Sequence, residues 1–519
     1  MKLQPTTLIL LILLFKTSLA QNILINNTGN PVEPSIMINP SNTNVLVAGS
    51  NLNFVYRSND GGETWSTNYL TSTYGVWGDP VIDIDNLGNF YFFHLSNPPS
   101  GNWIDRIVCQ KSTDNGVSWS SGTYTGLNGT KDQDKEWSVI DYNNNNIYLT
   151  WTEFDNYGST LSTDKSRILF SKSTDGANTW STPLKINTVD GNCLDGDNAV
   201  CGAVPAVGPN GEIYVSWAIN NEIVFNRSLD EGETWLNSEI LVSDQPGGWT
   251  FNIPGIYRSN GLPVTKCDLS GGPNNGTIYI NWSDQRNGTD NTDVWLTKST
   301  DSGNTWSVPV KVNNDLSHTH QFFTWMDIDQ TNGNLYFVFY DRRNYTDNNT
   351  DVYLAISADG GNTFENIKIS DSPFNPNPNV FFGDYTNISA HDNIIRPIWT
   401  RLDGGQLSIW TNITPLGQLL SAGDLTSNER NNKVKQYPNP IDSRINYISF
   451  KLHETSTIKL ELFDQNGKLI KTIINDENMD YGKHIIPINT TKMNLASGSY
   501  YYKLYINNSI QTKKVIVLE

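Results

Sequence analysis

The chain has 519 residues, of which 37% are hydrophobic, enough for two or more packed domains. Lys and Arg number 35 against 53 Asp and Glu, a net charge of −18, which argues against nucleic acid or an anionic membrane surface as the main partner. Aromatic residues are plentiful (16 Trp, 23 Tyr, 19 Phe), and strand-like runs dominate over helical periodicity, so an all-β protein is expected.

Residues 1–20 read as an export signal: Lys2 is the charged start, Leu8–Phe15 the apolar stretch, and Ser18-Leu19-Ala20 a small-residue ending before Gln21. No later stretch is apolar enough to span a bilayer, so a soluble or surface-attached protein is expected, as a monomer.

From Ser58 onward one short motif, Ser-x-Asp-x-Gly-x-Thr-Trp, recurs six times at intervals of 54 to 71 residues. The copies are SNDGGETW (Ser58), STDNGVSW (Ser112), STDGANTW (Ser173), SLDEGETW (Ser228), STDSGNTW (Ser299) and SADGGNTF (Ser357). The third has its glycine one place early, at Gly176, and the sixth ends in Phe364. Asp and Gly supply tight-turn conformations while the aromatic packs back beneath the strands, and six copies mark a radial β-repeat.

Each copy follows a strand such as NVLVAGS (Asn44), NFYFFHLS (Asn89) or NIYLTWTE (Asn146), and the series runs to NIIRPIWTR (Asn393), giving seven units. The last, with QLSIWTNIT from Gln406, lacks a fourth strand, and QNILINNTG from Gln21 resembles the fourth strands elsewhere. The N-terminal strand is therefore expected to complete the last unit and remove both sheet edges. Seven blades over residues 21–412 are favoured, with six, the number of motif copies, as the alternative. Pro397 implies a bulge or exposed edge in its strand.

Residues 413–433 read as a polar linker, and 434–519 as a small β-sandwich domain. Cys193 and Cys201, eight apart in one loop, favour a local disulfide; Cys109 and Cys267 fall in strands and read as buried thiols.

The motif series resembles the Asp-box, or bacterial neuraminidase repeat, of sialidases and other β-propellers. That resemblance implies that the boxes are structural and lie away from the catalytic face. The tail, with Tyr437-Pro438-Asn439-Pro440, LELFDQNGKLI (Leu460), LASGSYYYKL (Leu495) and the ending TKKVIVLE, resembles the C-terminal sorting domain of the type IX secretion system. It implies the type IX machinery as a partner, and release or attachment at the cell surface.

On the box-free face the loops gather Trp77, Asp79, Glu136, Tyr257, His318 and Tyr385, together with Arg286, Arg343 and Arg401. Arginines bind carboxylate or sulfate, flat aromatics face sugar rings, and paired carboxyls serve as acid and base across a glycosidic bond. Sialidases use three arginines, a Tyr–Glu nucleophile pair and an Asp acid/base. By loop position, and not by a motif match, Arg286, Arg343 and Arg401 are expected as a substitute cluster, Tyr385 with Glu136 or Glu153 as the nucleophile pair, and Asp79 as the acid. Trp77, Tyr257 and His318 complete the expected substrate contacts. PSIMINP, however, stands without arginine where sialidases carry Arg-Ile-Pro. Asp284/Arg286 and Asp341/Arg343 equally read as repeat-encoded salt bridges. His318 or His320 would supply the base of a lyase.

No metal motif occurs; the acidic loops DQDKE and NCLDGDN would at most take calcium. The leading expectation is a sialidase-like glycoside hydrolase acting on extracellular glycans. A non-catalytic glycan- or protein-binding propeller and a polysaccharide lyase are the alternatives.

Overall fold

The structure, a computed structural model, describes residues 21–420 and, within 434–517, all but 438, 442–444, 453–454, 466, 481, 494 and 507–508. The expected signal peptide, 1–20, and residues 421–433 of the expected linker lie outside the described residues. Internal contacts divide the chain into two units, Met1–Gly423 and Asp424–Glu519.

Among the described residues of the first unit, the repeated strand signals fold into seven four-stranded antiparallel sheets. Their innermost strands are Ser35–Ile38, Val81–Ile84, Asp132–Ile140, Cys201–Val207, Val264–Cys267, Gln321–Asp329 and Asn387–His391. Each lies against the innermost strand of the next sheet, and the seventh lies against the first. Six sheets are continuous in sequence. The seventh takes Asn22–Asn26 as its outer strand, pairing Asn22 with Asn412 and Ile23 with Thr411. Pro397 interrupts nothing: its strand pairs with Asn387–His391 without a shift, while the ladder on its other side begins at Ile398. Of the bulge or exposed edge expected there, the bulge is absent: the proline lies beyond the end of that ladder, and its carbonyl accepts the Thr411 hydroxyl at 2.7 Å.

The second strands carry the core. Trp151, Trp217, Trp282 and Trp399 are fully buried at this level, each large enough to fill the layer between sheets. The recurrent turns hold themselves and their neighbours. In the fifth, the Ser299 hydroxyl donates to Asp301 Oδ1 (2.7 Å) and accepts from the Gly303 N–H (2.8 Å). Asp301 also accepts from the Thr305 N–H (2.9 Å) and hydroxyl (2.6 Å). Gly303 has φ 84°, and a Cβ there would lie 2.3 Å from the Phe225 ring of the preceding sheet. The third copy places Ala177 in this slot, at φ 63°, because its glycine is displaced by one. Trp180, Trp235 and Trp306 of these turns pack edge-on against Phe93, Phe170 and Phe225 of the sheet before, with centroids 5.1 to 6.0 Å apart.

Within the first part of the expected linker, Leu419 is buried in the same core, while Pro415, Gly417 and Gln418 are exposed. The expected Cys193–Cys201 disulfide is not formed; both are buried free thiols, as are Cys109 and Cys267. Their loop is closed instead by backbone bonds from Asn192 to Asn198 and from Gly191 to Ser166, and Phe154, Ala218 and Trp249 cover the sulfurs.

The second unit has a three-stranded and a four-stranded sheet sharing one apolar core, including Ile448, Phe450, Leu460, Leu462, Tyr502 and Leu504.

Replacing Asp301 by Ala removes three turn bonds. The expected loss is about 1–2 kcal/mol, because each exposed bond is worth about 0.5 kcal/mol net. Calorimetry should then give a Tm lower by roughly 2–3 °C, with ligand binding unaltered.

Candidate functional site

The site starts from a backbone irregularity that the inner strands share. Glu33, Asp79 and Lys135 each stand two residues before Ser35, Val81 and Trp137, and each has a left-handed φ, of 55°, 51° and 54°. Gly202 and Phe323 repeat this at 76° and 50°. In the third, fourth and sixth sheets it coincides with a register shift in the innermost strand. Non-glycine residues adopt this conformation at a cost of about 1–2 kcal/mol, and such strain collects where side chains must be aimed. Here it directs polar side chains toward one another.

Lys135 is the centre. Its buried ammonium donates to Asp384 Oδ2 at 2.8 Å and to Asp79 Oδ2 at 3.3 Å. Arg258 clasps the same Asp384 from the other side, with Nε on Oδ1 at 2.8 Å and Nη2 on Oδ2. Its Nη1 donates to Asp195 Oδ2 at 2.8 Å, and Asp195 also accepts the Tyr157 hydroxyl at 2.8 Å. Glu33, Asp134, Glu136 and Tyr385 are buried around this network. Both carboxyl oxygens of Glu136, Oε1 of Glu33 and the Tyr385 hydroxyl have no hydrogen-bond partner among the described residues.

The electrostatics divide these carboxyls. Burial raises Asp384, but Lys135 and Arg258 outweigh it and hold the group well below the usual carboxylate range. Burial pushes Asp134 up to about 7, with Lys135 opposing. Burial, reinforced by Asp79, raises Glu136 and Glu33. The Tyr385 phenol is raised by burial and then by Asp79 and Glu33. Trp137 and Trp325 wall it in, with centroids 5.2 and 6.2 Å away.

Above the cluster opens a cleft of about 410 Å³, lined by Lys135, Asp384, Arg258, Asp195, Tyr257 and Asn252 among others. Tyr257 on its wall is 59% exposed. Beyond Tyr157 lie Trp103 (42% exposed), 5.9 Å away edge-on, and then Trp77 (37% exposed), 5.9 Å from Trp103. The structure thus brings Asp79, Glu136 and Tyr385 together around Lys135 without placing them in the cleft lining, puts Tyr257 on the cleft wall, and sets Trp77 at the end of an aromatic row.

It does not bring the arginines there. Each guanidinium of Arg286, Arg343 and Arg401 is held by a nearby aspartate (Asp284, Asp341, Asp403) and lies over an aromatic ring of its own sheet's third strand (Trp295, Tyr353, Trp410). Each then reaches the outer strand, or the chain just after it, of the preceding sheet. Arg286 bonds Ser243 and the Asp244 carbonyl, Arg343 bonds Asn314 at 2.8 Å, and Arg401 bonds Ser372. The expected carboxylate-binding cluster is therefore a set of clasps between sheets, and the reading as repeat-encoded salt bridges describes it. His318 is exposed in the loop before Gln321–Asp329, outside the cleft lining. His320 bonds Thr292 at 3.0 Å and is lowered to about 4 by burial and then Arg342. Nor do the acidic loops form a cation site. No group of three or more His, Cys, Asp or Glu is set for a metal among the described residues, and Asp197 accepts both the N–H and hydroxyl of Thr250.

Sequence reasoning missed Glu33, Lys135, Asp195, Trp103 and Tyr157. One signal was present: Glu33-Pro34 and Asp79-Pro80 put an acid before proline at the same place in two repeats.

Residues 435–518 match the family model for the secretion system C-terminal sorting domain. The protein is accordingly secreted or attached at the outer-membrane surface through type IX sorting, and no helix among the described residues is long and apolar enough to cross a membrane. No curated protein matches the chain. Among solved structures it is similar to a Hadza microbial sialidase (14% identity, 72% of this chain and 74% of that one, TM-score 0.41). A PL25 ulvan lyase bound to -[GlcA(1-4)Rha3S]- shows 13% identity over 78% and 99%, with TM-score 0.48. A GH93 α-L-arabinofuranosidase of Fusarium graminearum with arabinobiose shows 13% over 77% and 98%, with TM-score 0.43.

Asp384→Asn should cost about 3–5 kcal/mol at neutral pH, since it takes from the buried Lys135 ammonium its nearer anion and leaves it only Asp79. Because the folded-state pKa of Asp384 is depressed, its contribution is present above the ordinary carboxylate range and lost on acidification. Denaturant titrations should therefore show the gap to wild type closing as pH falls below about 4. Arg343→Ala should lower Tm but leave ligand affinity within about twofold, as distant independent sites do.

Proposed function

We propose that the seven sheets are the blades of a seven-bladed, Asp-box β-propeller, and that the protein is a secreted glycoside hydrolase working in the cleft above Lys135. The ordered ring contacts, the outer-strand closure by Asn22–Asn26 and the six motif turns support the propeller reading. A signal segment at 1–20, a propeller from 21 and a sorting domain from 434 remain the proposed organisation.

One observation carries the activity: buried carboxyls with opposite proton affinities and an orphaned tyrosine surround one lysine beneath an open cleft. Folding rarely leaves such groups unpartnered and strained without a ligand to meet. Glycosidic cleavage needs one carboxyl that donates a proton to the leaving oxygen and another that is ionised to face the developing positive charge. Asp134, with Glu136 beside it, supplies the protonated side, and Asp384, the one of these carboxyls that lines the cleft, supplies the ionised side. Tyr385 acts here as a donor to substrate. Its phenol and the Glu136 carboxyl are both raised by burial, which does not favour a Tyr–Glu nucleophile pair. Tyr257 gives a sugar ring an apolar face, and Trp103 and Trp77 extend it for further rings of a polymer. The sialidase form of the reading loses its arginine cluster, and the lyase form loses its histidine base.

The test is product analysis on a panel of extracellular polysaccharides. Free saturated sugars are expected, with a rate that declines as pH rises through about 7, where Asp134 gives up its proton. Asp134→Asn and Glu136→Gln should each lower kcat by about 10²–10⁴-fold. Binding without turnover would instead assign a glycan-binding propeller.

A further inference from the structure

We infer that the sugar accepted in this cleft is uncharged: the site is built for a neutral, hydroxyl-rich glycan and against sialic acid, uronic acid or sulfated units. The inference rests on the reading of the cleft as a glycan site and concerns which glycan.

An acidic sugar needs a cation with charge to spare. The cleft has two, Lys135 and Arg258, and three carboxylates hold them. Lys135 bonds Asp79 and Asp384; Arg258 bonds Asp384 through two nitrogens and Asp195 through a third. Three bonded anions against two cations leave a residual negative charge at the cleft floor, even with Glu33, Asp134 and Glu136 protonated by their burial. The basic side chains best suited to acidic sugars, Arg286, Arg343 and Arg401, are spent in clasps between sheets. The rest of the wall is neutral: Asn252, Thr250, Asn260, Trp249, Phe251 and Tyr257. The molecule as a whole carries −18.

The same features suit hydroxyl groups. A carboxylate is an acceptor with two oxygens, which a pair of neighbouring sugar hydroxyls meets as donors. Asp195 lines the cleft and keeps its Oδ1 outside the bonds made by Tyr157 and Arg258, both of which use Oδ2. A substrate carboxylate about 5 Å from one uncompensated negative charge, at an effective dielectric of about 20, would bind on the order of 100-fold more weakly than the neutral sugar.

The experiment is calorimetric binding of the secreted full chain to matched oligosaccharides, neutral members beside their uronic-acid, sialylated and sulfated counterparts, at low and high salt. Neutral members are expected to bind at least 10-fold more tightly, with a gap that shrinks as salt screens the cleft. Asp195→Asn should narrow the gap at low salt; should that variant fold poorly, the salt series on the wild type carries the same information. Acidic members binding as tightly as neutral ones, or more tightly, would overturn the inference while leaving the glycan reading intact. If no member binds, the glycan reading itself falls, and the inference with it.

Discussion

The innermost strand of each sheet has one edge without a backbone partner, so donors on that edge must find others, and several find them in side chains of the neighbouring sheets. This requirement organises the first unit. The Ile36 and Ile38 N–H groups donate to Asn387 and Ser389 of the seventh sheet, Ile82 to Ser35 of the first, and Ala390 to Asp327 of the sixth. Polar residues in strands that otherwise read as apolar are therefore ties between sheets. They fix the register of each sheet on the next, and with it the position of the residues just ahead of each inner strand.

Those residues form the site. Each inner strand lies against the next, so residues just ahead of several of them are brought near one another. The sequence places there an excess of acids with one lysine, at positions that include the left-handed backbone of Glu33, Asp79 and Lys135. Arg258 arrives from outside the repeat, on the short hairpin Thr250–Phe251/Ser259–Asn260, and bridges Asp384 to Asp195. The low effective dielectric then splits the carboxyls. Pairing with Lys135 and Arg258 lowers Asp384, whereas burial raises Glu33, Asp134 and Glu136.

Strand order and turn chemistry were legible in the chain because they are local. The six Asp-Gly turns, the seven second strands and the orphan strand at Gln21 all read directly, since each depends on residues within a few positions of one another. Asp79, Glu136 and Tyr385 were legible as loop residues near inner strands, but their meeting at Lys135 was not. Lys135 sits in an acidic run, DQDKE, that reads as solvated surface. Only burial among carboxylates 56 and 249 residues distant makes it the centre. The arginines misled for the complementary reason. Asp-x-Arg spacing shows that a pair can form, but not toward which face the guanidinium then points.

The sequence by itself determined the repeat, the turn residues, the closing strand and the sorting tail, because these are written in short-range patterns of hydrophobicity, glycine and aspartate. The tertiary structure alone decided which charged groups lose their water and meet. Desolvation and Coulomb pairing depend on distances between segments far apart in the chain, and no spacing along the sequence encodes them.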